Sequence, residues 1–523
     1  MCKILAQLFF CFIASYQLEA QILPAEGSKL NYRIVGFSFP QSQSGSKYQI
    51  QIAEGKYNNL DSFKENIIKS FSGDNNKIIG EVPAFGKEYT WCIVTDKSTG
   101  TNKQLHHFST LIVPDVDSNI TRLRILKPAE TYKDAFVFLD ASRTLYDMNG
   151  KPVWFVPIVD GVIADNFPSY GDLKLTKQGT ITFITNRKSG HIYEINYNGD
   201  ILWKGPNTGK VSGDSIEYYN HEFTRLSNGH YMVMGGEYVN LKLPAAPDSI
   251  VLKSSESKGK IIWDDKTKKN YQRFQFGTLI EYDSKGNIVW SWKSSEYFKG
   301  SDLYKKTNRL GYFDIDDVHE NSFYFDEKAK AIYVCFRNMS RIIKVKYPEG
   351  EILNVYGKLY DHGEPGYDNN LFHHQHSVRL TEEGYLSVYN NNNRHPGSLP
   401  TLLLMQEPVS AKDSLKKVWE YECTTDGIDT TLKDPPEFAG LGSLMELPDH
   451  SMLACMTTDD YTRVFIVNRN KKTLWSAIPE RWFPNQHKWH TILEYKPSMI
   501  TNRKDLEQLI WNAETKTSHD LGR

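Results

Sequence analysis

The segment Leu371-Phe372-His373-His374-Gln375-His376-Ser377-Val378-Arg379-Leu380 places three histidines within four residues. A neutral imidazole is nucleophilic near neutral pH and can carry a covalently bound group from one substrate to another. In an extended segment, side-chain alternation puts His374 and His376 on one face and His373 on the other. Two other readings compete: a satisfied histidine cluster in a turn, and a metal pair formed by His374 and His376. The rest of the chain favours His376 as a nucleophile.

Histidine recurs at comparable places. His221 opens His-Glu-Phe-Thr-Arg-Leu-Ser-Asn-Gly, His319 opens His-Glu-Asn-Ser-Phe-Tyr-Phe-Asp, and His490 opens His-Thr-Ile-Leu. Each precedes a run that reads as a strand. Arg337 follows His319 by eighteen residues, far enough to end the next strand back at the same rim. Arginine there offers a fixed fork of donors to an oxyanion such as sulfate, phosphate or carboxylate.

The elements that position these residues form a repeat. A turn runs into a strand with an aromatic or apolar anchor in Tyr146–Trp154, Asn196–Trp203 and Tyr282–Trp290, and more weakly in Tyr347–Leu353, Lys416–Trp419 and Asn468–Trp475. Between them lie strand pairs of a second kind: Leu226–Met234, Leu380–Val388 and Leu447–Ala454. Four short strands per repeat, repeated radially six times, predict an all-β chain with a six-bladed β-propeller. The hairpin 135–155 lacks a preceding pair, and His490–Tyr495 lacks a following hairpin, so the two ends are expected to share one blade. The stretch Tyr238–Phe276 is an insertion expected at one rim. Equivalent inner-strand positions face the axis, so His221, His319, His376 and His490 are expected to converge.

Ahead of the repeat, Tyr48–Ala53 alternates and Glu88–Val94 is rich in strand formers, with a turn-forming cluster at Ser42–Ser46. Residues 21–120 are expected to form an immunoglobulin-like or fibronectin-like β-sandwich, and residues 121–523 the propeller. Residues 1–20 combine Lys3, an apolar run from Ile4 to Ala14 and a polar end, and read as a signal peptide. The apolar run is too short to cross a bilayer as a helix. The expected location is the periplasm, with no membrane span. The balance of 62 basic and 63 acidic residues leaves no footprint for nucleic acid. Cys92, Cys335, Cys423 and Cys455 remain after the signal, where an oxidising compartment allows three pairings, and none has the spacing of a zinc or redox motif.

Three stretches together resemble the bacterial aryl-sulfate sulfotransferases that do not use PAPS: His221-Glu-Phe-Thr-Arg-Leu-Ser-Asn-Gly, His319-Glu-Asn-Ser with Phe336-Arg337, and Gln375-His376. The resemblance implies transfer of a sulfuryl group from an aryl sulfate donor to a phenol acceptor through a sulfated histidine. It implies His376 as nucleophile and His221, His319 and Arg337 as further catalytic residues. It implies supporting contacts from Asn321 and from a threonine, Thr457 or Thr458; His374, adjacent to His376 in the histidine cluster, is a further candidate for substrate binding. No cofactor or metal is implied, and a homodimer is allowed. The residue types suit the chemistry. Arginine and protonated histidine stabilise charge on the sulfuryl oxygens, and another histidine can protonate the departing phenoxide. Two rival functions are a propeller polysaccharide lyase using His and Arg, and a non-catalytic ligand-binding propeller.

Overall fold

The computed structural model describes residues 22–41, 47–95, 104–112, 121–159, 170–185, 190–242, 261–298, 303, 316–357, 371–392, 398–409, 415–423, 441–457, 462–491 and 496–517. The expected signal peptide, the turn cluster at Ser42–Ser46 and Thr458 lie outside these residues. The described chain is all-β, and it divides into two compact units, Met1–Leu111 and Ile112–Arg523. Among the described residues no helix is long and apolar enough to cross a membrane.

The first unit contains β1 (Ser28–Leu30), β2 (Ile34–Ser38), β3 (Tyr48–Glu54), α1 (Leu60–Glu65), β4 (Ile67–Gly73), β5 (Lys77–Glu81), β6 (Glu88–Thr95) and β7 (His106–Thr110). Strands β1-β7-β6-β3-β4 form one sheet, and β2-β5 form a two-stranded ribbon. Phe37 of the ribbon meets Trp91, Phe71 and Phe108 of the larger sheet, with ring centroids 5.0, 6.5 and 6.3 Å away. The alternating pattern of Tyr48–Ala53 buries Tyr48, Ile50 and Ile52.

The second unit opens with β8 (Thr121–Lys127) and then builds six sheets. The first holds β9 (Phe136–Leu139), β10 (Thr144–Asp147) and β11 (Pro152–Phe155). The second holds β12 (Tyr170–Leu175), β13 (Ile181–Thr185), β14 (Ile192–Ile195) and β15 (Ile201–Lys204). The third holds β16 (Phe223–Arg225), β17 (Tyr231–Lys242), β18 (Ile261–Asp264), β19 (Lys269–Tyr282) and β20 (Ile288–Lys293), followed by the short α2 (Ser294–Tyr297). The fourth holds β21 (Glu320–Asp326), β22 (Ala331–Phe336), β23 (Arg341–Lys346) and β24 (Ile352–Gly357). The fifth holds β25 (His376–Leu380), β26 (Leu386–Asn390), β27 (Thr401–Gln406) and β28 (Lys416–Glu422). The sixth holds β29 (Leu441–Glu446), β30 (Met452–Thr457), β31 (Thr462–Val467), β32 (Thr473–Phe483) and β33 (Lys488–Thr491), with β8 also pairing β32. Strand β34 (Ser498–Ile500) returns to pair β9 and complete the first sheet.

The six turn-plus-anchor repeats are the outer hairpins of these sheets, and local chemistry explains them. Asp147, Asn196, Asp283 and Asn468 each accept backbone N–H bonds from within their own turn, the local side-chain capping that favours Asx residues there. The tryptophans that follow reach the neighbouring sheet. Trp154 donates its indole N–H to Tyr197 O, Trp290 to Pro348 O, Trp419 to Arg469 O and Trp475 to Met148 O. The last of these ties the sixth sheet to the first. An apolar core shared by the same two sheets packs Val137, Leu139 and Tyr146 against Leu453, Val464 and Trp475.

First strands of adjacent sheets also bond directly. Ser498 donates to Leu173 O, the Phe223 N–H to Asp172, the Val378 N–H to Ser322 Oγ, and Ser377 to Leu444 O.

Two expectations are corrected here. The strand shared with the first sheet is Ser498–Ile500, eight residues beyond His490. His490 instead sits on β33 at the outer edge of the sixth sheet, with its ring 5.0 Å from Phe483. The long β32 needed a partner over Glu480–Phe483, and the residues around His490 supply it. The alternation expected for His373 and His374 also fails, because Leu371–Gln375 is bent and β25 starts only at His376. His374 takes a φ of 53° and the two rings stack 4.1 Å apart.

The strand pairing inside the expected Tyr238–Phe276 insertion, and a C-terminal helix, were not foreseen. The insertion after Tyr238 continues β17 and β19 as a long paired arm, with β18 alongside. A C-terminal helix, α3 (Arg503–Thr517), buries Leu506, Leu509, Ile510 and Ala513, and its Asn512 donates to Gln178 O.

Candidate active site

His376 is the first residue of β25, and His319 and His221 lie just before β21 and β16. The three rings form a row: His221 to His319 is 5.6 Å between centroids, and His319 to His376 is 6.3 Å. His221 and His319 have φ of 54° and 53°, a left-handed conformation that costs a non-glycine residue about 1–3 kcal/mol. Such strain persists only where surrounding contacts enforce it, and here it turns two imidazoles toward a third. The Arg337 N–H donates to His319 O at 2.9 Å, which seats Arg337 directly behind that histidine. Its guanidinium donates to Asn338, which in turn donates to Asp317. Asp317 lies 3.6 Å from His319 Nδ1.

His376 has no exposed surface. Burial, then the neighbouring His319 and Arg337, hold its basicity well below the usual imidazole value, so it stays neutral. Its Nδ1 lies 3.2 Å from His374 O and 2.9 Å from the Asn391 amide nitrogen. The carbonyl only accepts, so that contact calls for a proton on Nδ1 and leaves the lone pair on Nε2. The amide nitrogen only donates and calls for the opposite arrangement. The ring is therefore braced between its two neutral tautomers, and the first presents Nε2 as the nucleophilic atom.

A dense set of bonds fixes this imidazole. Gln375 donates to Phe336 O at 3.3 Å and Arg341 O at 3.0 Å, and Cys335 Sγ lies 3.3 Å from Gln375 O. Asn321 donates to the same Gln375 carbonyl at 3.0 Å, so its amide locks the chain beside His376. His373 and His374 anchor their N–H groups on Asn390 and Ser340. Thr457, fully buried at the end of β30, lies 3.2 Å from Thr462 Oγ1.

Sequence reasoning missed Asn391, which holds both the His374 carbonyl and His376. The run Asn390-Asn391-Asn392-Asn393 after a strand was the available signal. It also missed a buried ionic cluster next to the histidines. Glu222, the residue after His221, pairs with Arg379 of β25 at 2.7 and 2.9 Å, with Lys496 at 2.8 Å and with Lys174 at 3.2 Å. Asp172 pairs with Lys496 at 2.6 Å and Lys174 at 2.8 Å. Burial opposes ionisation of Glu222, but Arg379, Lys496 and Lys174 outweigh it and hold the carboxyl well below its ordinary range. The cysteines Cys92, Cys335, Cys423 and Cys455 are all buried thiols, and none is in a disulfide. Burial pushes Cys335 and Cys423 up to about 12.

Beside the row of rings lies a cavity of about 260 Å³ whose wall includes His221, His319, Tyr218, Tyr238 and Phe276. The half-buried His319 lines this cavity, and the buried His376 lies beyond it in the row. Neutral nucleophile, nearby guanidinium and aromatic walls together suit transfer of an anionic group from an aromatic carrier.

Residues 263–422 match the family model Arylsulfotransferase (ASST). Over that stretch the chain is similar to the arylsulfotransferases. The matched stretch carries His319, Asn321, Arg337 and His376, and His221 lies ahead of it. No curated protein matches the chain. Among solved structures, a protein of unknown function from Bacteroides caccae is 11% identical, over 65% of this chain and 92% of its own, with a TM-score of 0.36. The periplasmic gluconolactonase PpgL of Pseudomonas aeruginosa is 9% identical, over 70% of this chain and 98% of its own, also at 0.36. At these scores neither likeness bears on architecture or activity.

Proposed function

We propose that this protein, similar over residues 263–422 to the arylsulfotransferases, moves a sulfuryl group from a phenolic sulfate ester to a phenol through a sulfohistidine at His376, without PAPS, cofactor or metal. The observation that carries the reading is the row of His221, His319 and His376, ending on a buried imidazole kept neutral beside Arg337. Nε2 of His376 attacks sulfur in line with the aryl oxygen. Arg337, and His319 when it is protonated against Asp317, stabilise the charge on the sulfuryl oxygens. A group in the adjoining cavity gives the departing phenoxide its proton and takes one from the incoming phenol. Burial of His376 keeps bulk water from the sulfated imidazole, which favours transfer over hydrolysis.

The architecture we propose for this activity is a six-bladed propeller. It is supported by the six sheets, the tryptophan bonds from one sheet to the next, and the return of β34. The first unit is read as an immunoglobulin-like or fibronectin-like sandwich, and the whole as a periplasmic enzyme released from a signal peptide.

The test is incubation with 4-nitrophenyl sulfate, with and without added phenol. Phenol-stimulated nitrophenol release, ping-pong kinetics and indifference to PAPS and chelators are expected. Absence of turnover, or cleavage of an acidic polysaccharide instead, overturns the reading. Loss on chelation restored by zinc points instead to a metal at His374 and His376.

A further inference from the structure

The wall of the cavity beside the histidines includes a carboxyl group that nothing described so far uses. Glu320, the first residue of β21 and the neighbour of His319, is 6% exposed and lines that cavity. Neither of its carboxyl oxygens has a hydrogen-bond partner among the described residues. The opposite wall has been cleared for it: a Cβ on Gly277 of β19 would lie 1.2 Å from Glu320 Oε2. A buried carboxyl lacking partners is costly, so a fold that also keeps a glycine to house it needs a reason.

We infer that Glu320 is a further catalytic residue, the acid–base group that exchanges a proton with the phenolic oxygen of donor and acceptor. The inference rests on the transfer reading above. Among the titratable groups around it, Cys335 comes from β22, Asp317 and His319 from its own segment, Tyr218 and His221 from the chain before β16, and Tyr238 from β17. β19 presents only Gln275, Phe276 and Gly277 to the cavity, and no lysine or arginine is among the described lining residues. Burial therefore raises the Glu320 carboxyl well above its ordinary range and keeps it neutral. Neutrality suits the task twice. A carboxylate would repel the anionic donor, and only the acid form has a proton to give.

The proton balance is simple. In the first step the lone pair of His376 Nε2 forms a bond to sulfur and the sulfur–oxygen bond to the aryl group breaks. Its electron pair goes to the aryl oxygen, which takes the proton of Glu320, leaving a phenol, sulfated His376 and a Glu320 carboxylate. In the second step the acceptor oxygen bonds to sulfur as its proton passes to Glu320, and the nitrogen–sulfur pair returns to Nε2.

The experiment compares Glu320→Gln with wild type on 4-nitrophenyl sulfate and phenyl sulfate, reading kcat/KM for the donor. Loss of a proton donor costs on the order of 10² to 10⁴ where the leaving group needs it. A fall of about 100-fold or more on phenyl sulfate, with only a several-fold fall on 4-nitrophenyl sulfate, is expected. Glu320→Asp should recover part of the phenyl sulfate rate. An equal loss on both donors, or none, overturns the role, since a packing defect does not distinguish leaving groups. The same graded loss in His319→Asn but not in Glu320→Gln assigns the proton to the histidine and overturns it too. If Glu320→Gln does not fold, the wild-type pH profile decides. The phenyl sulfate rate should fall as pH rises through the raised carboxyl value while the 4-nitrophenyl sulfate rate holds, and parallel profiles overturn the role. Wild type that leaves no sulfuryl label on His376 sinks the parent reading instead, a result independent of the Glu320 comparison.

Discussion

Replacing Glu222 by Gln should destabilise the second unit more than any conservative change at its surface. Gln keeps the shape but removes the charge that three cations share. Glu222 is 2% exposed and lies within 3.2 Å of Lys174, 2.8 Å of Lys496 and 2.7 Å of Arg379. The five-residue cluster carries three positive and two negative charges, a net of +1. The variant leaves three against one, a net of +2 in a largely buried site. Breaking a buried pair by removing one partner costs about 3–5 kcal/mol. The lower end applies here, because Asp172 still serves both lysines and Arg379 still donates to Phe323 O and Val378 O. Urea unfolding should show a loss of about 3 kcal/mol. Arg379→Gln in the same background should cost much less than it does alone, since the pair is coupled.

The pH dependence has a definite sign. The folded carboxyl is held low, so its stabilisation is present above the unfolded value of about 4.3 and is lost as pH falls through the lower folded value. Glu222→Gln should lack that acid-side loss. A cost below about 1 kcal/mol, with additive single and double variants, would mean the cluster is solvated and does not tie the His221 turn to β25.

His376→Asn should abolish the sulfuryl label that donor alone leaves on the wild-type peptide, as read by mass spectrometry. Because His376 is buried rather than at a polar rim, the variant should also lose about 1–3 kcal/mol in urea unfolding from unpaired neighbours. Label on His373, His374 or His221 means another imidazole is the nucleophile. The rate of donor-only labelling should stay flat as pH falls through 6.5, because burial, His319 and Arg337 keep His376 neutral there. An inflection at 6.5 refutes that environment. The same depression means the folded state binds fewer protons at this site, so its contribution to stability is present above about 6.5 and erodes below it. Arg337→Lys keeps the charge but loses the two-pronged fork, so single-turnover labelling should slow without moving from His376.

Much of the architecture was legible along the chain because it is written in short-range chemistry. Asx residues in the turns and tryptophans a few residues later are local signals, and together they mark four of the six outer hairpins, at Asp147, Asn196, Asp283 and Asn468. The Gln375-His376 and His319-Glu-Asn-Ser stretches were legible for the same reason, since each is a few contiguous residues of unusual polarity at the start of a strand. What the sequence could not express was which strand sits where once propensity is satisfied. His490 looks like His319 in one dimension, yet pairing with the end of β32 carries it to an outer edge. The bend that stacks His373 on His374 depends on anchors at Asn390, on the same sheet, and Ser340, in a turn of the preceding sheet. Only tertiary structure decided that Glu222 meets Arg379 across 157 positions, that Gly277 clears a space for Glu320, and that His376 is dry enough to stay neutral. Burial and long-range charge pairing are sums over neighbours distant in sequence, and no local pattern encodes them.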